Sequence, residues 1–419
     1  MDFQHSARAQ EYLERVQTFI RERITRIERD YFGTLRAQDD PWSPLPILDE
    51  LKRQARAEGL WNLFLPDATH GAGLTNVEYA PLAEAMGRSL LAPEVFNCSA
   101  PDTGNAEVLL HFGSDEQRDR WLKPLLDGEI RSAFCMTEPD MASSDATNMA
   151  ATAVLDGDEV VLNGRKWWST GVGHPRCEFL IFMALTDPTA HRYAQHSMVL
   201  VPMNTPGVKV ERLLPVFGYH DEPHGHGEVS FTDVRLPASA IIGGPGRGFE
   251  IGQARLGPGR IHHCMRLIGL AELALELACQ RGVTRTAFGK PLVNLGGNRE
   301  RIARARIAID AARLQVLRTA WLLDTAGNMG ALSELSQVKA TVPAMAQEVI
   351  DFAIQLHGGA GLSEDFPLTA AFVNARALRL ADGPDEVHLG VVARIELAKY
   401  VEAAKNKDTK NADTKNKDK

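Results

Sequence analysis

The hydrophobic period changes twice along these 419 residues, so the chain cannot fold as one uniform architecture. Up to about residue 130, apolar side chains recur at spacings of three and four. Leu13, Val16, Phe19, Ile20, Ile24 and Ile27 follow the period of a helix that buries one face. From about residue 131 β-rich runs take over, and ATAVLDGDEVVLNGRKWWST carries two hairpin signals, Asp156-Gly157 and Asn163-Gly164. FLIFMAL, SMVLVPM, VKVERLLPV and GEVSFTDV read as further strands, separated by Pro, Gly and Asp. After Gly248 the helical period returns, predicting helices over about 249–281, 298–326 and 333–357 and a last one from about Asp385.

The order helices, strands, helices predicts an α+β fold, mostly α. It comprises a helical domain over 1–130, a β-domain over 131–242, a helical bundle over 243–403 and a disordered polar tail over 404–419. Helix starts are marked by two capping-box patterns, Thr75 with Glu78 and Ser114 with Gln117, and stops by Gly59 and Gly128. Such punctuation describes scaffold and says nothing of function. The tail, KNKDTKNADTKNKDK, has no large apolar residue to offset its ordering entropy.

Forty-four per cent hydrophobic and 24% charged residues suffice for large buried cores. A net charge of −8 gives no global basic field, which argues against nucleic acid or acidic lipid as partner. Five cysteines without a CxxC pair (Cys98, Cys135, Cys177, Cys264, Cys279) argue against a disulfide framework and a zinc knuckle, and fit reduced thiols. The first residues carry no apolar leader pattern, and no window approaches eighteen consecutive apolar residues. The expectation is a cytoplasmic chain without membrane insertion.

The chemistry concentrates where the period first changes. FCMTEPDMASSDA (134–146) combines hydroxyls, small residues and turns, the composition of a loop whose backbone N–H groups can approach a phosphate or a planar ring. GRKWWSTG (164–171) follows one hairpin later and sets an indole beside small hydroxyl residues. Strand alternation places Trp167 and Trp168 on opposite faces, with Trp167 open to a plain core reading.

TEPDMASSD, KWWST, VRLP (234–237), RTAFGKPL (285–292), QLHGGAGL (355–362) and RLADGPDEVHL (379–389) resemble, in order and spacing, the motifs of the acyl-CoA dehydrogenases. The resemblance spans about residues 1–400. SSDAT, KWWS, GRGFEI, LGPGRIHHCMR and LRLADGPDEVHL look most like the branch with mammalian members ten and eleven and bacterial relatives that process 4-hydroxyacyl-CoA.

This resemblance implies a helical N-terminal domain, a middle β-barrel or sandwich and a C-terminal four-helix bundle. It also implies bound FAD, acyl-CoA as substrate, an electron-transfer flavoprotein as electron acceptor and a homodimer or homotetramer sharing cofactor sites. Carried over residue by residue, it gives the flavin Phe134, Met136, Thr137, Ser143 and Ser144 from the loop, with Ser144 also near the CoA chain. Trp168, Ser169 and Thr170 pack on the ring system. Arg285 and Phe288 match an RxxF that reaches the neighbouring subunit's FAD, joined by Gln355 and Gly359, and Glu386 is a further cofactor-binding residue.

The reaction implied removes an α-proton while the β-hydrogen leaves as hydride to the flavin, giving a 2-enoyl-CoA. It requires a carboxylate base in a water-poor pocket. Counting from Phe366-Pro367, the base motif falls on Ala381-Asp382-Gly383-Pro384, so Asp382 is the expected catalytic residue. The family's alternative base position, just before Arg260, is Gly259. Asp stands where Glu is usual, the loop motif is one residue longer than its usual form, and Val373 replaces an Arg.

Substrates of this branch can carry a 4-hydroxyl or 4-phosphate, the phosphate being lost. Arg260, His262, His263 or Arg266 could supply donors to it. His220, His224 and His226 lack zinc-type spacing, and no metal is expected. Two other readings share the fold: an oxygen-using flavin oxidase, and an acyl-CoA-binding or assembly scaffold without turnover.

Overall fold

The computed structural model describes residues 4–417. Eight helices come first: α1 (Ala7–Phe19), α2 (Glu28–Arg36), α3 (Pro46–Ala57), α4 (Asn76–Gly87), α5 (Ala92–Val95), α6 (Asp102–Phe112), α7 (Asp115–Gln117) and α8 (Lys123–Leu126). The three-four pattern of α1 continues through a π-helical turn over Ile20–Ile24, and Val16, Phe19 and Ile24 are buried. Both capping boxes form. Glu78 and Gln117 donate their backbone N–H to Thr75 Oγ1 and Ser114 Oγ, and their side chains accept in return.

Seven strands follow: β1 (Arg131–Cys135), β2 (Thr152–Asp156), β3 (Glu159–Thr170), β4 (Cys177–Leu185), β5 (His196–Pro202), β6 (Val208–Leu213) and β7 (His226–Pro237). They form one curled sheet in the order β1-β4-β2-β3-β7-β6, with β5 also paired to β4. The unbroken apolar run of β4 follows from burial on both faces. Phe179, Ile181 and Met183 join the helical core, while Leu180, Phe182 and Ala184 join the core inside the sheet.

Asp156-Gly157 makes the β2–β3 turn, but Asn163-Gly164 does not turn the chain. β7 pairs along the whole of β3 and carries the ladder across it. The register shifts between Leu162 and Gly164, and Asn163 Oδ1 accepts from Asp233 N at 2.8 Å.

The third block is α9 (Gly248–Thr284), a hairpin of β8 (Thr286–Ala287) and β9 (Lys290–Pro291), then α10 (Asn298–Gly330), α11 (Leu332–His357), α12 (Leu368–Ala377) and α13 (Asp385–Lys417). The segment expected as a disordered tail has helical backbone to Lys417, because extending a helix needs no new nucleus; residues 418–419 lie outside the described range. The N-terminal block is clamped to the third where α4 crosses α9 on two glycines. A Cβ on Gly87 would sit 2.6 Å from Arg266 Cα, and one on Gly269 would sit 2.9 Å from the Glu84 carbonyl carbon. Only glycine permits this approach, and it fixes which face of α9 looks toward α4.

Candidate functional site

The loop after β1 is fastened to β3 by one buried ion pair. Lys166 Nζ lies 2.8 Å from Glu138 Oε1 and donates to the Met136 carbonyl at 2.8 Å. The Glu138 carboxylate also accepts from Ala150 N at 2.8 Å and Ala151 N at 2.9 Å, and Trp167 N donates to Thr137 O at 3.0 Å. Both charged groups are nearly inaccessible to water, so they persist only as a pair with their remaining valences satisfied.

The β3–β7 register shifts again between Lys166 and Ser169, and Trp168 takes a left-handed φ of 53°. The extra residue cancels strict alternation. Lys166 and Ser169 both turn inward, Trp167 is half-buried and Trp168 is 41% exposed, so the tryptophans do not fall on opposite faces. Thr170 Oγ1 lies 2.9 Å from His226 Nδ1, and the His226 ring sits 5.8 Å from that of Trp168. Thr137 and Ser144 stand exposed on the same loop.

This rim suits a planar, hydrogen-bonding cofactor. It offers an exposed indole held in a strained conformation, open hydroxyls, and the buried Trp167 Nε1, which has no partner among the described residues. Ser143 does not face outward: its Oγ accepts from Glu138 N at 2.9 Å and shapes the loop. Ser169 is likewise buried, its side chain beside Cys135.

Asp382 sits in the bend between α12 and α13 at φ 57°, followed by Gly383 at φ 105°. The bend is held through its backbone. Arg260 Nε donates to Asp382 O at 3.0 Å, His388 Nε2 lies 3.2 Å from the same oxygen, and buried Lys339 donates to Leu378 O at 2.5 Å and Gly383 O at 3.3 Å. Arg379 closes the bend on Asp385 at 2.7 Å. The Asp382 carboxylate thereby accepts no hydrogen bond among the described residues, and the uncharged His263 ring stands beside it with Nε2 at 3.5 Å.

Burial pushes the Asp382 carboxyl up, but His263, Arg255, Arg260 and Lys339 outweigh it and hold the pKa below the usual range. His263 is itself pushed down to about 3 by burial and by Arg266, so near neutral pH the two arginines carry the attraction. Arg266 donates to His263 Nδ1 at 3.2 Å, which leaves the proton of the neutral ring on Nε2, facing Asp382. Gly259 completes the arrangement. A Cβ there would lie 3.7 Å from Asp382 Oδ2, so α9 presents bare backbone to the carboxylate.

Phe134 connects the rim to this corner: the Arg255 guanidinium lies 3.9 Å from its ring centroid. Arg255 Nε donates to Asn105 Oδ1 at 3.1 Å, Asn105 to Ser132 Oγ at 2.9 Å, and Ser132 N to Asp102 Oδ1 at 2.8 Å. Asp102 pairs with Arg131, which reaches Glu94 and through it Lys52. Sequence reasoning missed this network, because its members come one or two at a time from α3, α5, α6, β1 and α9.

His262 departs from expectation. It is buried with its ring 5.0 Å from that of Tyr79, and burial and Arg266 press its pKa to about 3. Adjacent helix residues point about 100° apart, so the α4 crossing that leaves His263 on the Asp382 side turns His262 into the core. Arg266 is spent on His263 and on Cys98 O at 3.3 Å. His220, His224 and His226 diverge, toward Trp42, toward Glu94 and His174, and toward Thr170. Among the described residues no group of three or more His, Cys, Asp or Glu could hold a metal, and no helix is long and apolar enough to cross a membrane.

Arg285, Phe288, Gln355, Gly359 and Glu386 are exposed, and among the described residues no hydrogen bond, ion pair or ring contact joins them to the Trp168 rim. Phe288 is 95% exposed at φ 50° on the β8–β9 hairpin.

Family models for the acyl-CoA dehydrogenase N-terminal, middle and C-terminal domains match residues 6–129, 133–234 and 246–397. The chain is 56% identical over 389 residues to acyl-CoA dehydrogenase family member 10 of Mus musculus, covering 92% of this chain and 36% of that protein. It is 52% identical over 400 residues to family member 11 of Gallus gallus, covering 94% and 51%. The chain thus spans about half or less of the length of these relatives. FadE2 of Mycobacterium tuberculosis, assigned as an acyl-CoA dehydrogenase, is 52% identical over 402 residues, 95% of this chain and 98% of that one. A solved Mycobacterium abscessus chain with the same assignment superposes with a TM-score of 0.93 at 69% identity, covering 95% of this chain and all of the other.

Proposed function

The chain belongs to the acyl-CoA dehydrogenase family, and on that premise we propose that it is an FAD-dependent oxidoreductase that converts an acyl-CoA thioester to the 2-enoyl-CoA, with Asp382 as the base. The observation that carries this reading is the unshared Asp382 carboxylate, fixed by its backbone and facing bare helix at Gly259. The arginines keep it ionised across the neutral range, so the pocket always presents the base form. An acyl chain entering the corner displaces water, which raises the carboxylate's proton affinity as the α-proton comes within reach.

FAD, when bound, supplies the acceptor for the β-hydride. Trp168, Thr170, Thr137 and Ser144 would hold its ring system and phosphates on the rim. Buried Ser143 and Ser169 would serve by shaping loop and strand. Arg285, Phe288, Gln355 and Gly359 are assigned to the cofactor of a second copy in a homodimer or homotetramer, and Glu386 to cofactor binding, roles their exposure supports. An electron-transfer flavoprotein is the electron acceptor in this reading. Cytoplasmic location is supported by five free cysteines, four of them buried.

The finer substrate proposal is 4-phosphoacyl-CoA or 4-hydroxyacyl-CoA, with loss of any 4-phosphate. Arg260 and the Nε2 proton of His263, which converge on the Asp382 corner, support it. The test is an anaerobic spectrum of the purified holoprotein titrated with acyl-CoA thioesters. Bleaching of the oxidised flavin band with a thioester is the expected result. A band unchanged by every thioester would refute the dehydrogenase reading.

A further inference from the structure

The segment before β7 returns to the Trp168 rim as a tight loop. Asp221 takes a left-handed φ of 59°, and its carbonyl accepts from His224 N at 2.8 Å and Gly225 N at 3.0 Å. The loop is fastened to the end of β3 through its backbone: Gly171 N donates to Gly225 O at 2.9 Å and Gly173 N to His224 O at 2.8 Å. The Trp42 indole closes over this seam. A Cβ on Gly225 would lie 3.0 Å from its Cζ3, and one on Gly173 would lie 3.1 Å from its Cε3. So held, the loop delivers His226 opposite Thr170 in the β3–β7 ladder.

A carboxylate, an imidazole and a hydroxyl follow one another here. His226 Nδ1 lies 2.9 Å from Thr170 Oγ1, and Nε2 on the far edge of the ring lies 3.8 Å from Asp221 Oδ2. The imidazole is largely covered while the carboxylate stands in water, their side chains being 18% and 51% exposed. At 3.8 Å Asp221 is beyond hydrogen-bond range, yet its charge favours the tautomer with the ring proton on Nε2. Nδ1 is then an acceptor. A threonine hydroxyl has one proton and two lone pairs, so spending the proton on Nδ1 leaves Thr170 only lone pairs to offer the rim. A ring proton on Nδ1 would reverse the bond and make Thr170 a donor there.

We infer that His226, biased by Asp221, is a positioning residue that makes the Thr170 hydroxyl a hydrogen-bond acceptor on the cofactor rim and thereby favours the reduced form of a bound flavin. The inference rests on the reading that Thr170 faces the flavin ring system, and it adds how that contact is set. A ring nitrogen that takes up a hydride gains an N–H, so it changes from acceptor to donor on reduction. An acceptor held against that edge pairs with the reduced ring only. A freely turning hydroxyl pairs with either form, and the preference is lost.

The experiment measures the midpoint potential of FAD bound to the holoprotein, by anaerobic spectral titration against a reference dye, and the affinity of the apoprotein for oxidised FAD. His226→Phe keeps a flat ring in place but offers no acceptor. It should lower the ratio of reduced-FAD to oxidised-FAD affinity about tenfold, a downward shift of about 30 mV for a two-electron couple. His226→Asn puts a carbonyl oxygen near the Nδ1 position and should recover most of that shift. Asp221→Asn removes the tautomer bias and should move the potential the same way by less. A merely structural role would weaken both forms of FAD alike and leave the ratio where it was. A ratio in His226→Phe within about twofold of wild type would overturn the inference, and so would equal shifts in His226→Phe and His226→Asn. If His226→Phe does not hold FAD, nitrogen NMR of His226 in the wild-type protein decides: a proton on Nε2 is expected, and one on Nδ1 would overturn the inference. A wild type that binds no FAD would remove the flavin reading and this inference together, whereas flavin bleached by a thioester with an unmoved ratio would remove the inference alone.

Discussion

Replacing Asp382 separates base chemistry from scaffold, because its anchors belong to the backbone and its carboxylate is free. Asp382→Asn keeps the volume, and the Arg260 and His388 contacts to the main-chain oxygen need no carboxylate. The neighbouring acids are poorly placed to replace it: position 259 has no side chain, Asp385 is tied to Arg379 at 2.7 Å, and burial keeps Glu107 protonated with a pKa pushed up to about 8. Loss of a positioned general base costs 10²–10⁴-fold, and with no substitute the expected fall in flavin reduction is roughly 10³-fold or more, with FAD retained. Asp382→Glu moves the carboxylate outward by one C–C bond, ~1.5 Å, from a bend too firmly held to retreat. A misplacement of that size costs about 10²-fold. The assay is anaerobic stopped-flow absorbance at the flavin band, with retained FAD as the folding control. Flavin reduction in Asp382→Asn within about tenfold of wild type, or Asp382→Glu as fast as wild type, would refute the reasoning.

Lys166→Met should leave the Glu138 carboxylate buried with only its two backbone donors, costing about 3 kcal/mol at the lower end for a broken buried pair; urea unfolding reads the stability, and loss of FAD on gel filtration reads the loop. Gly269→Ala forces α4 and α9 apart where their backbones touch, so it should cost upwards of about 2 kcal/mol and slow flavin reduction by displacing His263 from Asp382; an unchanged Tm would contradict the crossing. Glu107 has a folded pKa raised to about 8, so its contribution to stability is fully present below the unfolded carboxylate pKa and is lost as pH rises through about 8. The groups facing it are Arg255 on α9 and His111 on its own helix, and Asn328 on α10 is uncharged. Unfolding free energies of Glu107→Gln and wild type, compared from pH 5 to 8.5, should therefore shift in favour of the variant, on the order of a few kcal/mol. Phe288→Glu should weaken self-association measured by light scattering, and a mass identical to wild type would remove the hairpin from the interface.

What the sequence showed and what it hid divide along one physical line. Local rules act within a few residues, so the capping boxes at Thr75 and Ser114, the turn at Gly157, the long helices and the strand at β4 were readable. The motif around Asp382 was readable as a resemblance, yet its environment was not. Arg255, Arg260, His263 and Lys339 come from two other helices, and only the register of α9 against α4 decides that His263 faces the carboxylate while its neighbour His262 packs on Tyr79. A bulge reversed the alternation argument at Trp167 and Trp168, since two-residue periodicity fails wherever the ladder shifts register.

The cavity between α6 and α9, lined by Glu107, Arg255, Pro258 and Asn328, was the least legible feature, although Pro258 and Gly257 stand openly in LGPGR. Their meaning depends on Asn328, some seventy residues later, arriving to take the carbonyl that proline leaves free. The same stretch of α9 therefore does two things at once. On the proposed reading Gly259 withholds a side chain so that Asp382 alone meets the α-carbon, and one turn earlier Arg255 lays its guanidinium on Phe134. On that reading a side chain introduced at position 259 should lower the catalytic rate more than it weakens binding, because it would crowd the reacting carbon.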